Sequence, residues 1–250
     1  MSSSQVKRAH IIPRSYMLPW ADKNGDIYVA DIQNERALIL RASNATIVKY
    51  AYQTAVLKHD REAHYSQIEA RGIRAIRAAC TNPEFSQSDR RDLTDFMDMF
   101  IERGLYADQN DLSVSVIRGS FDSDEFEEVE FNLGDMISLH KDLNASDVTL
   151  RDAGIENWNW AVVEQPHPMM TGDGAVICIK RDEHLTTVVF PLSPFMLLVV
   201  GEVQHDLSFS VTNYIAQVSR RWIIGRPQDA PEWVHANDKR TRTRKQRNSR

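Results

Sequence analysis

Cysteine is almost missing from this 250-residue chain. Cys80 and Cys178 are the only two, far apart and outside any Cys-x-x-Cys, so neither a disulfide framework nor a cysteine-rich zinc site is supported. They read as two small buried hydrophobes. Long apolar runs are lacking as well. The most apolar stretch, Val188 to Gly201, is interrupted by Pro191, Ser193 and Pro194. It falls short of the roughly 20 residues that cross a bilayer, so no membrane contact is expected. The opening MSSSQVKRAHIIPRSY has basic residues but no apolar run with a small-residue cleavage site, so no secretory signal is read there. A cytoplasmic location is the expectation. Glycine-rich phosphate loops, His-Glu-x-x-His, EF-hand loops and Gly-x-Ser-x-Gly are all absent, which disfavours nucleotide cradling and ordinary zinc proteolysis and leaves any cofactor or metal unknown. Of the eight histidines only His59 and His64 lie close together, at a spacing of five that does not stack them on one helical face.

Charge is abundant but unevenly placed. With 42% hydrophobic and 26% charged residues the composition is that of a soluble globular chain. The formal net charge is −5, yet Lys239, Arg240, Arg242, Arg244, Lys245, Arg247 and Arg250 place seven positive charges in the last twelve residues. Subtracting those seven from −5 leaves a body of −12. Its most acidic stretch runs from Asp122 to Glu130 and holds no basic residue. Such blocks read either as a solvated acidic loop and a disordered tail, or as contact surfaces, with nucleic acid or an acidic protein meeting residues 239–250. The acidic body argues against broad duplex binding by the fold itself.

Periodicity predicts an α+β chain, with a single domain over 1–238 and the basic tail outside it. After the Asp22-Lys23-Asn24-Gly25 turn, Asp26 to Ile32 alternates as a half-buried strand does. Helical spacing over Thr46 to Cys80 predicts two helices divided near His59-Asp60, stopped by Asn82-Pro83. Ser86 or Ser88 caps the next helix, whose stripe is Leu93, Phe96, Met97, Phe100 and Ile101 and whose end is Gly104. β-rich runs follow at Leu112–Ile117, Trp158–Glu164, Ala175–Lys180, Thr186–Phe190 and Phe195–Gly201, and a last helix is predicted over Ser210–Ile224. The expected architecture is a helical layer, about residues 44–105, packed on a mostly antiparallel sheet.

Three places put polar groups where the chain is stiff. His10 precedes Ile11-Ile12-Pro13, in an arm extended before the proline. Imidazole there can act as acid or base near neutral pH, or serve as a hydrogen-bonded strut. Asp173 sits between Gly172 and Gly174, a carboxylate on an accessible turn or a plain β-turn. Phe190-Pro191-Leu192-Ser193-Pro194 pins a rigid notch or a stiffened hairpin connection.

These same segments resemble the domain of unknown function 4238 family, found in bacteria, archaea and phages. The likeness opens with His10, Pro13, Arg14, Tyr16 and Leu18, then the Asn24-Gly25 turn and Ile27-Tyr28-Val29. It continues through Glu62, Ile68-Glu69 and a helix ending near an arginine, Asp98 to Arg103. It closes with Trp158 or Trp160, Gly172 to Ala175, Phe190 to Pro194 and an Asn-containing helix, Asn213 to Gly225. Nearly the whole chain is covered. Where the family tends to Ser-Asp-x-Pro, this chain has Gly172-Asp173-Gly174-Ala175, so the carboxylate remains without the hydroxyl and the proline. The resemblance implies a fold and a pocket but no reaction. It makes Pro13, Arg14, Tyr16, Ser193 and Asn213 candidate binding residues.

Glu62 and Glu69 lie seven apart with Ser66 between them, on one helical face. That face is either the wet side of the helix or the wall of a site in which Glu69 meets His10 and Asp173. Carboxylates flanking an imidazole would form an acid/base or divalent-metal site. Two functional expectations follow. One is a binding or regulatory module, in phage–host conflict given where relatives occur. The other is a hydrolase, such as a nuclease, with His10 as acid/base and Asp173 and Glu69 as metal-binding or orienting groups.

Overall fold

Proline and the short-range polar turn set the start of the chain. The computed structural model describes residues 9–48, 51, 54–57, 61–82, 84–109, 112–120, 123–142, 149–202 and 210–237. β1 (Ala9–His10) runs into Pro13, which precedes the single-turn α1 (Arg14–Met17) and a 3₁₀ turn at Leu18–Trp20. Gly25 takes a φ of +78° that closes the predicted turn, and Asp22 Oδ1 accepts the backbone N–H groups of Asn24 and Asp26. β2 (Asp26–Asp31) then forms as expected and pairs with β3 (Arg36–Arg41), while β4 (Ile47–Val48) returns to pair with β1. Among the described residues of 46–57 there is no helix. β4 and turns occupy the region where helical spacing predicted one, and His59 and Asp60 lie outside the described residues.

The helical layer consists of α2 (Arg61–Thr81) and α3 (Gln87–Gly104). Ser86 supplies a full capping box: its Oγ accepts Asp89 N–H at 3.1 Å and the Asp89 carboxylate accepts Ser86 N–H at 3.3 Å. Gly72 lets the two helices touch, since a Cβ there would lie 2.5 Å from Phe96 Cβ. Arg71 and Arg74 both reach Asp92, at 3.2 and 3.0 Å, and tie the exposed side of the pair.

The second half is β-rich, as expected, but its strands divide among sheets. β5 (Ser113–Ser120) and β6 (Ser123–Asn132) form a separate two-stranded ribbon, followed by α4 (Leu133–Asp142). The acidic stretch is therefore strand from residue 123 on, because Phe126, Val129 and Phe131 interleave with the acids. β7 (Trp160–Glu164), β8 (Thr171–Gly172), β9 (Ile177–Arg181), β10 (His184–Pro191) and β11 (Met196–Gly201) follow. α5 (Val211–Val218), β12 (Trp222–Gly225) and α6 (Glu232–Asn237) complete the described chain. One antiparallel sheet has the order β7-β11-β10-β9, the other β3-β2-β12-β8. The last predicted helix ends six residues early. Trp222 continues the stripe of Val211, Ile215 and Val218, yet its backbone pairs with Asp31 of β2.

A large hydrophobic core joins most of these parts, and Tyr28, Ala230 and Val234 form a second, small cluster. Phe190 of β10 stacks on Tyr16 with ring centres 5.2 Å apart and meets Phe100 of α3 edge-on at 5.5 Å. The α+β class holds, with the helical layer packed on antiparallel sheet. No helix among the described residues is long and apolar enough to cross a membrane. The basic segment 239–250 lies outside the described residues.

Candidate functional site

Two of the three expected site residues are linked through Arg103, which the sequence marked only as the end of a helix and gave no role. His10 Nδ1 lies 2.9 Å from the Ala45 carbonyl oxygen, and because a carbonyl only accepts, Nδ1 carries the proton. Its own backbone oxygen accepts Arg103 Nη1 at 3.4 Å, and the same nitrogen donates to Glu69 Oε1 at 2.5 Å. Arg103 is buried at the last turn of α3, with its guanidinium 4.5 Å from the centre of the Tyr65 ring. A buried cation held by a carboxylate, a carbonyl and a ring face is a fastening of β1 and α2 to α3. Glu62 belongs to α2, but its side chain lies outside the described residues.

Asp173 goes elsewhere. Its Oδ1 accepts Arg220 N–H at 2.7 Å, and its Oδ2 accepts Arg221 N–H at 2.9 Å and Trp222 N–H at 2.8 Å. The carboxylate thus closes the turn between α5 and β12. Burial pushes its pKa up to about 6, against the pull of the three N–H donors, with nearby Asp108 adding to the rise. Gly174 and Gly172 are required by closeness: a Cβ on Gly172 would lie 2.5 Å from Ser219 Oγ and from Trp222 O. The glycines flanking Asp173 thus serve chain packing, not ligand approach. Among the described residues no three His, Cys, Asp or Glu side chains group so as to hold a metal ion.

The candidate binding residues also separate. Tyr16 is buried, and its hydroxyl donates to Pro191 O at 2.7 Å and lies 2.8 Å from Thr171 Oγ1. This bond joins the N-terminal motif to the Pro-Leu-Ser-Pro segment. Pro13 is buried as the residue before α1, and Arg14 is exposed on it. Ser193 Oγ accepts Phe195 and Met196 N–H and so shapes the β10–β11 turn. Asn213 is exposed on α5, its N–H capped by Ser210 Oγ at 3.3 Å.

What remains open is a cleft between α1 and α2. A hollow of about 410 Å³ is lined by Ser15, Ser66, Glu69, Ala70, Ile73, Arg74 and Arg77. A second of about 230 Å³ shares Ser15, Ile73 and Arg77 with it and adds Leu18 and Pro19. The α2 residues at 66, 69, 70, 73, 74 and 77 follow helical spacing, so one face of α2 forms the wall. Glu69 is already engaged by Arg103, and Arg74 by Asp92. Arg77 is exposed and has no carboxylate partner among the described residues. The cleft thus offers one uncommitted guanidinium and two hydroxyls. The sequence signal for it was available as Ser66, Ile73 and Arg77 on the face of Glu69, but that face was read for its acids.

Comparison with known proteins finds no matching family model, no similar curated protein and no similar solved structure.

Proposed function

We propose that this protein is a binding module for a phosphate-bearing ligand, in a phage–host setting given where the domain of unknown function 4238 family, which it resembles, occurs. The α1–α2 cleft takes a phosphate, and the basic residues 239–250 make a second, less specific contact with the same polyanion. The observation that carries this reading is Arg77, a guanidinium without a carboxylate partner among the described residues, lining the cleft with Ser15 and Ser66. Guanidinium and hydroxyl groups are the donors that phosphate oxygens accept best. The body's charge of −12 favours a flexible single strand, whose phosphates are locally presented, over a duplex laid along the surface. The hydrolase alternative built on His10, Glu69 and Asp173 has less to draw on, because Asp173 is spent on three backbone N–H groups and Glu69 on Arg103.

Fluorescence anisotropy of a labelled 20-nucleotide single-stranded DNA on the full chain tests it. Arg77→Ala weakens binding about fivefold, the worth of one exposed charged contact of roughly 1 kcal/mol. Replacing the seven tail cations with Gln flattens the log–log salt dependence from a slope of up to about 6, at about 0.7 per neutralised phosphate, to about 1. Binding that neither substitution changes, or no binding of DNA or of inorganic phosphate, overturns the reading.

A further inference from the structure

The β5–β6 ribbon carries the two most exposed large hydrophobic side chains among the described residues, Ile117 and Phe126. Its register places Ser113, Ser115 and Ile117 opposite Asn132, Glu130 and Glu128 on one face, with Phe126 nearer the turn. That face is turned to solvent: Ile117 is 77% and Phe126 75% exposed. The other face, with Val114, Val116, Val129 and Phe131, is half-buried or buried. Glu128 and Glu130 each accept a serine hydroxyl with one oxygen, from Ser115 at 2.5 Å and Ser113 at 2.6 Å. No further strand among the described residues joins either outer edge. Unpaired edges carry N–H and C=O groups that template another strand.

The same chain holds a segment that matches this edge in charge and in period. Arg240, Arg242 and Arg244 alternate with Thr241 and Thr243. In an extended strand the three arginines share one face, and the β-branched threonines suit the strand conformation. Glu128 and Glu130 on β6 have the same period of two. We propose that the outer edge of β6 is the dock for the chain's own residues 239–250, which add to the ribbon as a third strand and lay their arginines beside Glu128 and Glu130. Side chains opposite each other across adjacent strands lie about 5 Å apart, within ion-pair reach of long arginines.

The link to the docked arginines is short: Arg240 and Arg244 lie three and seven residues after Asn237, so at about 3.3 Å per residue they reach about 10 and 23 Å from the end of α6. A tether of that length holds the segment at millimolar local concentration at an edge within its reach, so even weak pairing fills it. The dock does not depend on what the tail binds elsewhere. Its regulatory consequence, that the ribbon holds the tail away from a polyanion, rests on the proposed function above.

Hydrogen exchange of the full-length chain decides it. At 20 mM salt the outward-facing amides of residues 124–130 are protected. They exchange at least tenfold faster in R240E/R242E/R244E and in wild type at 500 mM NaCl. E128R/E130R gives the same loss, while β5 amides at Val114 and Val116 stay protected and show that the ribbon is intact. Combining the two sets of reversals restores protection to within threefold. Unchanged exchange in the tail variant overturns the proposal, as does protection lost on dilution from 100 to 1 µM, which assigns the dock to a second copy. If the DNA reading is right, E128R/E130R also tightens DNA binding about fivefold. Absence of DNA binding alone sinks that reading and leaves the exchange result standing.

Discussion

Carboxylates in this protein hold backbone. Asp173 gathers the three N–H groups of residues 220–222, and Asp98 accepts Leu150 and Arg151 N–H at 2.7 and 3.1 Å. Asp135, fully buried, takes the N–H groups of Ala55, Val56 and Leu57. Each satisfies donors in loops that have no ladder of their own. Burial sets a pH signature for Asp98, whose pKa is pushed up to about 6, the two N–H donors opposing and nearby Asp95 and Asp152 assisting. A folded-state pKa above the unfolded value of 3.8 means that the native state binds the extra proton between those limits. The contribution of Asp98 is therefore greatest below about pH 4 and is lost as pH climbs to about 6. Urea unfolding of wild type against Asp98→Asn should show wild type losing ground by at most about 1.4 kcal/mol per pH unit across that window, and none above it. A difference constant from pH 4 to 7 would remove this account of Asp98.

Helix pairing rests on a size match. α2 and α3 approach because Gly72 leaves room for Phe96. Alanine there gains up to about 1 kcal/mol of helix propensity. It also sets a Cβ 2.5 Å from both Phe96 Cβ and Cδ2, a clash the root of a buried ring cannot escape by rotation. Overpacking of that kind costs about 1–3 kcal/mol. Gly72→Ala should therefore lower the urea midpoint, by the equivalent of about 1–2 kcal/mol, and an unchanged or raised midpoint would show that the helices part freely. Helix limits in this layer were legible: Ser86, the Leu93 to Ile101 stripe and Gly104 all stand where local chemistry placed them. β12 was not, because a stripe that keeps helical spacing through Trp222 carries no mark of the Asp173 carboxylate that ends the helix and turns the chain into a sheet.

At the scale of the molecule, Tyr16 and Trp20 join the N-terminal segment to residues 169–191. Tyr16 bonds Pro191 and Thr171, and Trp20 Nε1 donates to Met169 O at 2.8 Å. Both rings sit in the aromatic cluster that α3 and β10 share. Tyr16→Phe keeps the ring and leaves the Pro191 carbonyl without its buried donor, at a cost of about 1–3 kcal/mol. At about 2–4 °C per kcal/mol for a chain of this size, thermal unfolding should fall by several degrees, with the near-ultraviolet dichroism of the fold retained. A melting temperature equal to wild type would show that the hydroxyl bonds add nothing. This closure also explains why His10, Tyr16 and Asp173 stand out in the sequence: they fasten distant segments.

From the sequence alone came the α+β class, the α2–α3 helical layer, the strands from Trp158 to Gly201, and the opposition of an acidic stretch and a basic tail. These depend on period, caps and charge, which act between near neighbours. Only the tertiary structure decided that His10 and Glu69 meet at Arg103, that Asp173 belongs to the turn before β12, that the acidic stretch is a strand of a two-stranded ribbon, and that Arg77 lines a cleft. Those outcomes depend on which backbone N–H groups lack partners once the core has closed, and such a shortage exists nowhere along the unfolded chain.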